Sequence, residues 1–174
     1  FVFISTIEAY PSDAITKTEE LEINVSEVSN VYGYTKLICE SLVNTHSPRP
    51  LILRPGLLVG PSMRVNNFSR MMDESNAMLT LSAQSNFYIC HYDYLVDFIA
   101  FCSTRDIFGT YNTVPSDSKT LGEVASQYNR ECNFGDFVYD SGIISNEKIV
   151  DVDRRFEFSS YDSVNRYIDS RNAK

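Results

Sequence analysis

The 174-residue chain is 43% hydrophobic and 22% charged, with a formal net charge of −8, which suits one soluble globular domain with its own core. The acidic balance argues against a general nucleic-acid or anionic-membrane binder, no stretch approaches the roughly 18 uninterrupted apolar residues of a membrane span, and Phe1-Val2-Phe3-Ile4-Ser5 lacks the flank and length of a signal peptide. Four cysteines (Cys39, Cys90, Cys102, Cys132) without CxxC spacing and two isolated histidines (His46, His91) form no metal constellation, so reduced thiols in a cytoplasmic protein are expected.

Residues 1–4 read as a short buried strand, followed by a polar loop through Ser29. From about Asn30 the pattern turns helical, with Tyr34, Leu37, Ile38 and Leu42 on one face, which assigns Tyr34 to core packing. Ser29 or Asn30 can cap this helix, and Ser47-Pro48 ends it. Leu51-Ile52-Leu53 is a second apolar strand, closed by Arg54-Pro55-Gly56, and strand, helix and strand together suit a parallel βαβ unit. Further along, the periodicity predicts a short helix over 65–72, a strand over 87–90, a helix over 93–102 and a strand over 110–114. Thr120-Leu121-Gly122-Glu123 is a capping-box pattern opening a helix with Leu121, Val124 and Tyr128 inward. A last helix starts near Ser160 and uses Val164, Tyr167 and Ile168. Alternating elements of this kind predict an α/β fold.

The chemistry concentrates in Val31-Tyr32-Gly33-Tyr34-Thr35-Lys36. A phenol and an ammonium one helical turn apart suit a proton relay beside hydride chemistry, because the ammonium favours the phenolate. With 11 tyrosines and five lysines in the chain, about 0.3 such pairs are expected by composition alone, so the surroundings must carry the signal. Ser5-Thr6 directly follows the first strand, and Arg54-Pro55-Gly56-Leu57-Leu58-Val59-Gly60-Pro61 follows the second. Both therefore sit at strand carboxyl ends, where open α/β sheets bind ligands.

The order Ser-Thr-x-x-x-Tyr-Pro, Tyr-Gly-x-Thr-Lys and Arg-Pro-Gly-x-x-x-Gly-Pro resembles the extended short-chain dehydrogenase/reductase family, the NAD-dependent epimerases, dehydratases and reductases of nucleotide-linked sugars. Phe87 to Asp97, and Tyr111-Asn112-Thr113-Val114 with Thr120-Leu121, resemble its later segments. The resemblance implies the C-terminal part of a Rossmann-like doubly wound parallel sheet plus a small substrate-binding α/β subdomain. Residues 1–62 would be the second half of the NAD(P)-binding domain, and residues 63–174 the substrate-binding part, with 87–114 returning to the sheet. The family's G-x-x-G-x-x-G phosphate fingerprint is not among the seven glycines, so the N-terminal βα units are expected outside this chain, which is then not expected to bind NAD(P) tightly alone.

By the same resemblance Tyr32 is the general acid/base, Lys36 and Ser5 hold the NAD or NADP ribose end, and Pro55, Gly56, Leu57 and Leu58 border the nicotinamide. Thr6 would hydrogen-bond the reacting oxygen, and Glu8, Arg64 and Asn67 would meet the nucleotide-sugar substrate; no metal is implied. Thr6-Ile7-Glu8 has the glutamate but not the aspartate of the sugar dehydratases, which points to an epimerase or reductase working through a 4-keto species. A homodimer through the helix bearing Tyr32 and Lys36 is also implied. The alternative is a truncated, non-catalytic relative acting as a binding or assembly module.

Overall fold

The computed structural model describes residues 1–12, 16–28 and 30–172. Strand β1 (Val2–Ile4) leads through a single 3-10 turn at Ile7–Ala9 to α1 (Val31–His46), β2 (Leu51–Pro55) and β3 (Leu57–Val59). Next come α2 (Asn67–Asp73), β4 (Ala77–Met78), β5 (Asn86–Phe87), β6 (Ile89–His91), α3 (Tyr92–Arg105) and β7 (Gly109–Thr113). The chain continues through β8 (Lys119–Thr120), α4 (Leu121–Gln127), β9 (Cys132–Asn133), α5 (Glu147–Val152) and α6 (Ser160–Asn172).

Local signals explain most boundaries. Asn30 stands extended and its side chain accepts from the Gly33 N–H at 2.6 Å, so Asn30 caps α1; Ser29 lies outside the described residues. At the other end Ser47 is extended, as the residue before Pro48 must be to avoid the ring. Thr120 and Glu123 close the expected capping box, with Thr120 Oγ1 accepting from Glu123 N at 3.1 Å and Glu123 Oε2 accepting from Thr120 N at 2.8 Å.

β1, β2 and β7 form a parallel sheet in that order, with Val2 beside Leu51 and Leu51 beside Gly109. Helix α1 is the crossover from β1 to β2, and every residue of β2 is buried, as expected of a central parallel strand covered on both faces. Leu51, Leu53 and Tyr111 pack there against Leu95, Phe98 and Cys102 of α3 and against Ile149 and Phe156. A second apolar cluster joins Val59 and Ile89 to α2, α4 and α6 through Phe68, Met71, Leu121, Val124, Val164 and Tyr167. Burial pushes the Cys90 thiol up to about 12 and Cys102 up to about 11, so neither is a thiolate at neutral pH.

Asn112 sits buried in β7 and ties three loops to the sheet. Its Nδ2 donates to the carbonyls of Lys17 (3.2 Å) and Ser145 (3.0 Å), its Oδ1 accepts from Tyr10 Oη at 2.8 Å, and its N–H donates to Glu19 Oε1 at 2.6 Å.

Three expectations change. The first strand is not buried: Phe1 is 74% exposed, and among the described residues β1 pairs only with β2, at the sheet edge. The strand over 87–90 is broken at Tyr88, whose carbonyl instead receives the Leu57 N–H at 2.8 Å while β3 pairs with β6. On α1 the apolar stripe faces outward, with Tyr34 42%, Ile38 45% and Leu42 54% exposed, while Gly33 and Glu40 are buried. Tyr34 is therefore not a core residue. The helix is turned by its polar side, because Lys36 and Glu40 find partners on the strands.

Candidate active site

A cavity of about 310 Å³ opens where β1 and β2 end. It is lined by Ser5, Thr6 and Glu8 after β1, Tyr32 and Lys36 from α1, and Pro55 to Leu58 after β2. The structure thus brings Thr6, Tyr32, Lys36 and the expected apolar border to one cleft, with Ser5 in its lining but turned towards Glu40. Two of the expected substrate contacts stand elsewhere. Arg64 is exposed away from this lining. Asn67 spends its amide oxygen on the Thr80 N–H at 2.9 Å, pinning α2 to the following loop.

Each group is placed by its element. Thr6 is extended and caps the 3-10 turn, its Oγ1 accepting from Glu8 N at 3.2 Å, which leaves the hydroxyl proton to give. Lys36 reaches from α1 to the end of β1, donating from Nζ to the Ile4 carbonyl at 2.7 Å and standing 5.7 Å from the Tyr32 ring centroid. Ser5 is turned inward: its hydroxyl donates to Glu40 Oε1 at 2.5 Å rather than facing a ligand.

That bond belongs to a buried cluster directly beneath the cleft. Arg54 Nε donates to Glu40 Oε1 at 3.0 Å and its second nitrogen to Oε2 at 2.6 Å, with the two side chains 7% and 6% exposed. The guanidinium also lies 4.7 Å from the centroid of Tyr10. Glu40 follows Lys36 by one turn of α1, so the ion pair clamps the helix to β2 and sets the depth at which Lys36 meets Ile4. Spacing alone gave no reason to read Glu40 or Arg54 this way; the only hint is an acid four residues after Lys36.

The outer wall is aromatic and was also not foreseen. Phe87, Tyr88 and Tyr139 line it, with Phe87 and Tyr139 stacked at 4.7 Å. Tyr139 arrives through long-range backbone pairing, its carbonyl receiving Asn86 N at 2.8 Å and its N–H reaching Ser85 Oγ at 3.1 Å. No motif near Tyr139 announces that.

Gly33 lets α1 press on the loop after β1. A Cβ there would stand 2.0 Å from the Glu8 carbonyl oxygen, an impossible contact with backbone. Alanine normally stabilises a helix by about 1 kcal/mol over glycine. Here the sign reverses: Gly33→Ala is expected to cost about 1–3 kcal/mol of stability in urea denaturation. A neutral or stabilising result would mean that α1 does not pack this closely.

The electrostatics differ from expectation in one respect. Burial and the Glu8 carboxylate push the Tyr32 phenol up rather than down. Tyr32 is half-exposed, so water screens an ammonium 5.7 Å from its ring. Burial likewise pushes the Glu8 carboxyl up and, with Glu8, raises Tyr139.

No family model matches the sequence, and no curated protein matches it significantly. Solved structures do match. UDP-glucuronic acid 4-epimerase from Bacillus cereus, in complex with UDP-glucuronic acid and NAD, superposes with a TM-score of 0.73 at 19% identity over 98% of this chain and 60% of its own. This chain has the fold of the nucleotide-sugar epimerases and reductases. The same fold is shared with dTDP-4-dehydrorhamnose reductase from Bacillus anthracis in complex with NADP (TM-score 0.75, 16% identity, 96% of this chain, 64% of that one). It is shared too with ADP-L-glycero-D-manno-heptose-6-epimerase from Helicobacter pylori (0.73, 15%, 99% and 60%). The chain therefore spans about 60–64% of the length of these epimerase-fold structures. Among the described residues no helix is long and apolar enough to cross a membrane, and no group of His, Cys, Asp and Glu is placed to hold a metal ion.

Proposed function

We propose that the protein carrying this chain is an NAD(P)-dependent epimerase or reductase of a nucleotide-linked sugar, working through a 4-keto species. The observation that carries this reading is the meeting of Thr6, Tyr32, Lys36 and Pro55 to Leu58 in one cleft at the strand carboxyl ends. The cleft fits the nicotinamide–ribose end of the cofactor: Pro55, Leu57 and Leu58 offer an apolar face, and Lys36 keeps ammonium donors beyond the one spent on Ile4. Both NAD and NADP occur with this fold, in the Bacillus cereus and Bacillus anthracis structures respectively. When bound, the nicotinamide supplies hydride acceptance and donation.

The chain's own groups handle the proton. Tyr32 Oη gives a proton to the substrate oxygen in the reducing direction and takes it in the oxidising direction. Thr6 Oγ1 donates to the same oxygen and fixes its position. Ser5, assigned to the cofactor from the sequence, acts instead through Glu40 to hold the end of β1. In this reading residues 1–62 supply the relay and residues 63–174 the sugar side, with 87–114 returning to the sheet through β7. The exposed Tyr34, Ile38 and Leu42 face of α1 supports a homodimer through that helix, and four unpaired cysteines support a cytoplasmic setting.

The test is absorbance at the reduced-nicotinamide band while the full-length protein turns over UDP- and dTDP-sugars. Stoichiometric loss marks a reductase, and product without net loss marks an epimerase. Failure to convert any such sugar would overturn the proposal in favour of a non-catalytic binding module.

A further inference from the structure

Only two charged side chains line the cleft among the described residues, Lys36 and Glu8. Lys36 is drawn back onto the Ile4 carbonyl at 2.7 Å. Arg54, which lies just beneath, is spent on both oxygens of Glu40, and Arg64 is exposed outside the lining. Among the described residues Glu8 forms no ion pair. Its backbone is fixed on both sides: its N–H is held by Thr6 Oγ1 at 3.2 Å, and its carbonyl faces Gly33 and receives the Asn30 amide at 3.4 Å. The carboxylate is half-buried between two phenols, Tyr32 on α1 and Tyr139 on the opposite wall, and its charge acts on both. The space between Tyr32 and Tyr139 thus feels the Glu8 charge and is rich in hydroxyl oxygens.

We propose that Glu8 makes this cleft selective for nucleotide sugars with a neutral ring and against uronic acids. The inference rests on the nucleotide-sugar reading above and names its substrate class. A neutral sugar can donate a hydroxyl hydrogen bond to Glu8, a charge-assisted contact. A uronic acid would confine a second carboxylate near Glu8, and the one cation of the described lining, Lys36, is anchored at the Ile4 carbonyl rather than paired with Glu8. At an effective dielectric of about 20, like charges 6–8 Å apart repel enough to weaken binding about tenfold or more. In this the cleft would part from the Bacillus cereus structure of the same fold, which holds UDP-glucuronic acid.

The selectivity carries a pH signature. Glu8 is faced by Tyr32 and Lys36 from α1, by Thr6 from its own loop and by Tyr139 from the outer wall. Burial raises its carboxyl above the usual carboxylate range, so the charge is lost earlier on acidification than for an exposed glutamate. Discrimination is therefore full near neutrality and relaxes on acidification, sooner than an exposed glutamate would allow.

The experiment titrates the full-length protein that carries this chain with UDP-glucose and with UDP-glucuronic acid by calorimetry, with native circular dichroism as the check on folding. The uridine diphosphate is common to both ligands, so the comparison isolates the ring. The expected result is UDP-glucose binding about tenfold or more tightly near neutral pH, with the gap closing to about threefold or less in Glu8→Gln. If Glu8→Gln does not fold, the wild-type pH series decides, and a gap that persists unchanged on acidification overturns the proposal. Equal or tighter binding of UDP-glucuronic acid by the wild type overturns the selectivity and leaves the nucleotide-sugar reading standing. Binding of neither ligand, nor of dTDP-glucose, by the folded full-length protein removes that reading and the selectivity with it.

Discussion

Tyr32→Phe in the full-length protein is expected to lower turnover about 10²–10⁴-fold while leaving nucleotide-sugar affinity within about twofold. The substitution removes one oxygen from a half-exposed ring and leaves the ring's approach to Lys36 intact, so it should neither unfold the chain nor empty the cleft. What disappears is the group proposed as proton donor, between Thr6 and Lys36. The direction of the Tyr32 shift adds a signature: burial and Glu8 hold the phenol protonated through neutrality, so in the proposed reaction the reducing direction would already have its acid in place. The oxidising direction needs the phenolate and should accelerate as pH rises. Single-turnover rates in both directions would check this, and a Tyr32→Phe enzyme with near wild-type rates would remove Tyr32 from the chemistry.

The second large effect is expected beneath the site. Arg54→Met leaves the Glu40 carboxylate buried with only the Ser5 hydroxyl as partner, and should cost about 3–5 kcal/mol of folding free energy. Replacing both partners, Glu40→Leu with Arg54→Met, removes the stranded charge and should restore most of that loss, because a buried ion pair is itself worth little against an apolar pair of similar volume. Urea denaturation of the two single variants and the double variant gives the coupling directly. Additive losses would mean that the two groups act independently and that α1 is not clamped to β2 through them. The pair is better explained as a positioning device than as a source of stability. It holds Lys36 at the depth of the Ile4 carbonyl, one turn along the same helix.

The sequence made α1, β2, α4 and α6 legible because their signals are local: a cap at Asn30, a proline after Ser47, a continuous apolar run, and a capping box at Thr120. That Thr6, Tyr32 and Lys36 share one cleft was legible for the same reason, since Tyr32 and Lys36 lie on one helix and Thr6 follows the preceding strand. The inward side of α1 was not. Periodicity assigns burial to Tyr34, Ile38 and Leu42, whereas the strands reward Lys36 and Glu40 with a carbonyl, a guanidinium and a hydroxyl. A local rule is broken where the site requires it. The placement of Arg64 and Asn67 was not legible either: both lie outside the cleft lining, one exposed and one bonded to the backbone of Thr80. Tyr139 was out of reach altogether, because its place depends on pairing with Ser85 and Asn86, 54 residues away in the case of Ser85.

Asn112 has a consequence for how the site comes into being. Its bonds to Tyr10 and to the Lys17 carbonyl close chain segments of 102 and 95 residues, and the entropic toll of such closures is recovered only once the strand bearing Asn112 is already in the sheet. The loop carrying Tyr10 begins immediately after Thr6 and Glu8. The loop from Thr6 to Tyr10 is therefore expected to be sewn down late, after the parallel strands have paired, which would make the cleft a product of completed folding rather than part of its nucleus.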